Sequence, residues 1–188
     1  MMGLDRRVIK SEEVIKEAFL LTLAEKQDIN KVTISRVSQN ANVNRATFYR
    51  HFKSISALRE LVFSEYIGHI RMDKIPAVPA MDDEAGRRKF ATEIEKIVTY
   101  VASHKRAYSY LVRSNDGRSL IYDYAHDCID VRMQIDNLPG DDKRYISEMT
   151  YRIHGIIGIW QDWASGMLDI TEQDLFRKLC QMPEIAFK

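Results

Sequence analysis

The chain is poor in residues that cross-link or interrupt a fold. Its 188 residues include two cysteines, four prolines and eight glycines. Cys128 and Cys180 are too few for the disulfide framework of a small secreted domain, so a reducing, cytoplasmic setting is expected. No apolar run approaches the roughly 20 residues that cross a bilayer, and no membrane partner is expected. The start, Met1 to Arg7, has no apolar stretch of signal-peptide length behind it. Sustained period-two alternation is missing too, so nothing reads as a strand. A charge of one sign is also lacking: 28 Lys and Arg stand against 27 Asp and Glu, a net +1. Evenly spread, that balance would argue against nucleic acid as a partner. What is present, 45% hydrophobic and 29% charged residues, is globular and long enough to bury a core.

The charge is not evenly spread. Residues 1–75 hold 13 basic against 9 acidic residues (+4), and the remaining 113 hold 15 against 18 (−3). Pro76 and Pro79 frame a stretch that cannot continue a helix and reads as a linker. Further breaks fall at Asn115-Asp116-Gly117, Pro139-Gly140-Asp141-Asp142 and Met182-Pro183. Between them apolar residues recur at spacings of three and four, as in Ile94, Ile97, Val98 and Val101. The fold class expected is all-α. A helix-turn-helix domain is expected over residues 1–72, including a connecting helix four, and a larger helical bundle over residues 73–188.

A first helix is expected from Ser11, whose hydroxyl can cap it ahead of Glu12 and Glu13. Thr33 can cap a short second helix, Ile34 to Ala41. Asn42 tolerates the left-handed conformation of a tight turn better than most residues. Asn44 can cap a third helix, Arg45 to Phe52. Two short helices around a tight turn make a helix-turn-helix. On the third helix Phe48 and Phe52, four apart, face the core. Arg45, Thr47, Tyr49, Arg50, His51 and Lys53 are left as donors or potential donors, and no acid occurs between Lys31 and Arg59. Such a surface suits phosphate oxygens, and a helix of this size fits the major groove. Arg45, at the helix start, is the candidate for base readout. Tyr49, His51 and Lys53 suit phosphate contacts, with Thr33 adding a hydroxyl at its helix N-terminus. The bland alternative is a solvated polar face on an ordinary helical protein.

The run from Thr33 to Ser54, with Thr47-Phe48-Tyr49-Arg50-His51-Phe52 at its heart, resembles the DNA-binding signature of TetR-family transcriptional regulators. Ser56-Ala57-Leu58 continues it into the next helix. Asn42 stands where glycine is usual. Ile55 stands where many members carry a lysine that meets a phosphate. The resemblance implies a homodimeric regulator of a palindromic DNA operator, usually a repressor, with an all-helical C-terminal domain that senses a small molecule.

That half carries no motif. Helical patterns run over residues 84–104, 107–114, 119–137, 143–167 and 171–182. Ile153, Ile156, Ile157, Trp160, Ala164 and Met167 form an apolar stripe, expected at a dimer interface although a monomer core explains it equally well. Tyr100, Tyr108, Tyr110, Tyr122, Tyr124, Tyr151, Trp160 and Trp163, with His104, His126 and His154, could serve a ligand pocket. Tyr122, His126, His154 and Trp163 are its named candidates, though any one of them can equally be an ordinary core or surface residue. His126 and Cys128 point in different directions on a helix, so no metal site is expected, nor any cofactor. Cys180 reads as a buried apolar residue.

Three readings follow. The first is a ligand-responsive DNA-binding regulator, a repressor released by an inducer. The second is a regulator-like adaptor acting through a partner protein. The third, a small helical enzyme, lacks a nucleophile–base pair, a phosphate loop and paired acids at a telling spacing, so no enzyme is expected.

Overall fold

The computed structural model describes residues 6–70, 83–135, 137, 139 and 142–181. The linker at Pro76 to Pro79, the boundary at residue 72 and the break at Met182-Pro183 lie outside them. The described residues are helical, with no strand among them. The helices are α1 (Arg6–Lys26), α2 (Ile34–Asn40), α3 (Arg45–His51), α4 (Ile55–Gly68), α5 (Glu84–Ser103), α6 (Lys105–Arg113), α7 (Asn115–Ile135), α8 (Lys143–Ser165) and α9 (Glu172–Gln181). A short 3-10 turn, Ile29–Lys31, separates α1 from α2. Helix α1 begins five residues before Ser11, so that serine lies inside the helix and does not cap it.

Two compact units result, and they are not contiguous in sequence. The first runs to Gly68 and takes in Arg106–Ser119; the second joins His69–Lys105 to the residues from Leu120 onward. The core of the first is built on α1, whose Ile15, Phe19, Leu20 and Leu23 are fully buried with Val37, Phe48, Leu58 and Val62. Burying side chains of this size stabilises a fold by roughly 1.5–3 kcal/mol each. Helix α1 ends at Gln27, held at a φ of 56°. Its amide N–H donates to Leu23 O at 2.8 Å. The Gln27 side chain then reaches α6 and α7. Its Nε2 donates to Arg113 O at 2.9 Å, and its Oε1 accepts from the Asn115 amide at 3.1 Å. Arg106 Nε lies 2.7 Å from Glu17 Oε1. Tyr108, fully buried, donates its hydroxyl to Tyr66 O at 2.7 Å, with the two rings edge to face at 5.3 Å. These bonds are why α6 belongs with the N-terminal helices.

Lys16 is the one lysine among the described residues that is buried. Its ammonium is 2.7 Å from Glu65 on α4 and 3.0 Å from both Glu12 and Glu13. Burial alone would lower its pKa. The hydrogen bonds to Glu65, Glu12 and Glu13 outweigh that and hold it above the ordinary lysine range.

In the second unit α5 buries Phe90, Ile94, Ile97, Val98 and Val101 along one stripe, and α9, with Leu175 and Leu179 buried, packs on α5. Helix α8 starts at a cap, Asp142 Oδ1 accepting from the Tyr145 amide at 3.0 Å. It ends at Gly166, whose φ of 85° suits glycine. Trp163 Nε1 donates to Ile170 O at 2.9 Å and fastens the turn into α9. Cys180 is half-buried rather than buried. Burial, reinforced by the Glu95 carboxylate, pushes its thiol up to about 11.

Candidate nucleic-acid interface

Local capping builds the α2–α3 unit. Thr33 Oγ1 accepts from the Arg36 amide at 3.2 Å and starts α2. Asn42 adopts the left-handed conformation at a φ of 51°, and α2 stops there. Two residues on, Asn44 Oδ1 accepts from the Thr47 amide at 2.7 Å and starts α3. A side-chain oxygen at each N-cap satisfies a backbone donor that the helix itself cannot.

Helix α3 is anchored from beneath. Phe48 is fully buried and Phe52 nearly so, their ring centroids 5.8 Å apart. This fixes the opposite face outward. Arg45, Tyr49, Arg50 and Lys53 are exposed, Tyr49 with half of its surface open, and Thr47 is half-buried. Among the described residues none of Arg45, Arg50 and Lys53 pairs with a carboxylate. The neighbouring Arg36, by contrast, is tied to Glu25 at 3.2 Å. The exposed face of α3 therefore carries positive charge that no carboxylate among the described residues pairs.

His51 differs from the others. It is half-buried, and its Nε2 lies 2.8 Å from Ser11 Oγ, so it joins α3 to α1. The two residues are 40 positions apart, and no spacing rule connects them. Ile55 is the first residue of α4, which Ser54 caps by accepting from the Ala57 amide at 3.1 Å.

The C-terminal candidates divide. Tyr122 and His126 on α7 and His154 on α8 do come together. Their ring centroids are 4.5 Å apart for Tyr122 and His126, and 5.5 Å from each of these to His154. His154 Nδ1 lies 2.9 Å from Thr150 O. Tyr122 is 56% exposed and His126 is exposed, however. The trio lies on an outer face, not in an enclosing cavity of the kind that holds small molecules. Trp163 stands apart from it, buried, with Lys105 Nζ 4.1 Å from its ring centroid. Tyr100 is stacked between His69 and His104, at 3.8 and 4.3 Å. A cleft of about 390 Å³ lies between α5 and α9, lined by Glu95, Val98, Thr99, Glu172, Gln173 and Phe176. None of the four named pocket candidates is among these residues.

Of the six residues expected at a dimer interface, Ile153, Ile157, Trp160 and Ala164 are buried in the chain's own core. Ile156 is half-buried, and Met167, beyond the end of α8, is 82% exposed. A 3.6-residue stripe marks the buried side of a helix without saying which chain buries it. No group of three or more potential metal-ligating side chains occurs among the described residues, and no described helix is long and apolar enough to cross a membrane.

The α1–α3 arrangement, with an anchored third helix presenting cations outward, defines a helix-turn-helix domain. Residues 21–62 match the bacterial regulatory proteins, tetR family. An uncharacterized HTH-type transcriptional regulator of Bacillus subtilis strain 168, YxbF, is 38% identical over 77 residues. The match takes 39% of this chain and only 20% of that protein, so it spans about a fifth of the relative's length. Two solved structures share the fold over nearly the whole chain. A Clostridium perfringens protein proposed to regulate fatty acid metabolism has a TM-score of 0.56 at 17% identity, over 93% of this chain and 100% of its own. A TetR-like regulator from Rhodococcus sp. RHA1 has a TM-score of 0.53 at 12% identity, over 96% of each chain. Residues 21–62 thus carry the helix-turn-helix sequence of the tetR family of bacterial regulatory proteins, and the chain shares an all-helical fold with the two solved structures.

Proposed function

We propose that this chain is a homodimeric, sequence-specific DNA-binding transcription regulator, a repressor whose operator affinity falls when a small molecule binds its C-terminal unit. The observation that carries the reading is the outer face of α3. Arg45, Tyr49, Arg50 and Lys53 stand exposed on an acid-free surface while Phe48 locks the helix beneath them. Arg45, at the start of the helix, reads base edges, for which a bidentate guanidinium is suited. Tyr49, Arg50 and Lys53 meet phosphates, with Thr33, Asn44 and Thr47 adding polar atoms at the two caps. His51 acts through the bond to Ser11 that sets the helix.

Two third helices must stand about 34–36 Å apart to enter successive major grooves of a palindromic operator. An effector that favours another spacing, transmitted through α4, lowers operator affinity by shifting the population between the two arrangements. No enzymatic step and no cofactor enters this scheme.

A mobility-shift titration on the operator upstream of the chain's own gene tests the reading. Arg45→Ala with Tyr49→Ala should abolish specific binding while the protein stays folded and dimeric. Affinity for the wild type should fall steeply with salt, because phosphate contacts release counterions. Undiminished binding by the double variant would remove α3 as the recognition helix, and a flat salt response would favour an adaptor that works through a protein partner.

A further inference from the structure

His126 and Cys128 sit two apart on α7, a spacing that points their side chains in different directions. The fold supplies His126 with a partner from another helix instead. His154 of α8 has its ring centroid 5.5 Å from that of His126. A zinc-like ion bound about 2.0–2.1 Å from one nitrogen of an imidazole lies roughly 3.2 Å from the ring centre. Two imidazoles on one tetrahedral ion therefore have centroids roughly 5 Å apart, which a small rotation of these rings reaches.

Both rings have a nitrogen to offer. His154 Nδ1 lies 2.9 Å from Thr150 O. A carbonyl oxygen can only accept, so Nδ1 carries the proton and Nε2 keeps its lone pair. A hydrogen bond of this kind at one nitrogen sets the tautomer and direction of metal-binding histidines generally. His126 is exposed, and among the described residues it makes no hydrogen bond or ion pair. Tyr122 packs beside both rings, at 4.5 and 5.5 Å, and restricts their motion. Asp123 and Asp130, three before and four after His126, share its side of α7. Both are exposed, and neither pairs with a cation among the described residues, so the field there attracts positive ions.

We propose that His126 and His154 together bind a divalent cation of the zinc class between α7 and α8, with water in its remaining positions. Imidazole nitrogens favour Zn²⁺, Ni²⁺ and Cu²⁺, whereas Mg²⁺ takes oxygen ligands. An ion needs no enclosing cavity, so an outer face too open for a small organic molecule is adequate for it. Once bound, the ion ties α7 to α8. The proposal is independent of the operator reading, and its test involves no DNA.

Titration of the chelator-stripped full chain with Zn²⁺, against a chromogenic zinc indicator, tests the site. The wild type should take up one ion per chain at micromolar concentration. His126→Ala and His154→Ala, each alone, should weaken that uptake by about tenfold or more, at least the cost of losing an outer-shell partner. Zn²⁺ should raise the Tm of the wild type and not that of either variant. Excess Mg²⁺ should not displace it. Without metal, His126→Ala should melt as the wild type does, because the residue is exposed; this variant decides the matter if His154→Ala proves unstable. A wild type that takes up no Zn²⁺ at these concentrations, or a His126→Ala that binds it equally well, would overturn the proposal. So would displacement by Mg²⁺, which would assign the ion to the aspartates.

Discussion

Nε2 of His51 lies 2.8 Å from Oγ of Ser11 and ties the last turn of α3 to the second turn of α1. Phe48 and Phe52 hold α3 by burial, which resists its lifting off but is non-directional. The imidazole–hydroxyl bond is directional and so limits rotation of the helix about its own axis.

Ser11→Ala should therefore cost about 1 kcal/mol, the usual worth of one such bond, seen as a fall of a few degrees in Tm. Operator affinity should fall severalfold more than this loss of stability explains, although Ser11 lies on α1 and not on the reading face. Equal operator affinity for Ser11→Ala and wild type would show that α3 needs no such tether.

Lys16 supplies a second test. Its ammonium joins Glu12 and Glu13 on its own helix to Glu65 on α4. Lys16→Ala should destabilise the fold by about 1–3 kcal/mol, because it leaves a carboxylate cluster without its cation. The lower part of that range follows from the partial exposure of all three glutamates. Since the lysine pKa is raised, the stabilisation is complete below the unfolded value of about 10.4 and is lost only as pH rises beyond it. Denaturant midpoints at pH 7 and pH 9 should show the same difference between wild type and variant. A difference that vanishes by pH 9 would contradict the buried ion pair.

Two turn positions should respond in opposite ways. Asn42 sits at a φ of 51°, and Asn42→Gly should leave stability within about 1 kcal/mol of wild type, since glycine adopts that conformation freely. Gly117 has no unusual φ, but a Cβ there would lie 2.1 Å from Leu111 O, a backbone atom. Gly117→Ala should destabilise by about 1–3 kcal/mol, as overpacking against a rigid neighbour does. Thermal melts of both variants decide the matter, and a harmless Gly117→Ala would mean that the α6–α7 junction yields.

What could be read from the sequence is what depends on near neighbours. Thr33, Asn42 and Asn44 act on amides or dihedrals within three residues of themselves, and each stands in the structure in the role its residue type suggests. The five C-terminal helices fall within about four residues of the limits their apolar spacing predicts. The start of α1 was misplaced because Ser11 has the chemistry of a cap but lies within a helix that already begins at Arg6. Partners distant in the chain were out of reach. Ser11 with His51, Glu17 with Arg106 and Gln27 with Arg113 are separated by 40 to 89 positions, and no residue in these pairs is unusual for its local surroundings. The stripe on α8 was legible as apolar, but spacing left both a dimer interface and the chain's own core open, and four of its six residues are buried in that core.

The side chain of Gln27, bridging to Arg113 and Asn115, has a practical consequence for anyone who wishes to study the reading head alone. The head is stitched from two separate lengths of the polypeptide, so no single cut releases it whole. An expression fragment ending at residue 72 would strip Tyr66, Glu17 and Gln27 of their α6 and α7 partners and bare the seam they close. A minimal head would need residues 106–119 grafted back through an artificial loop.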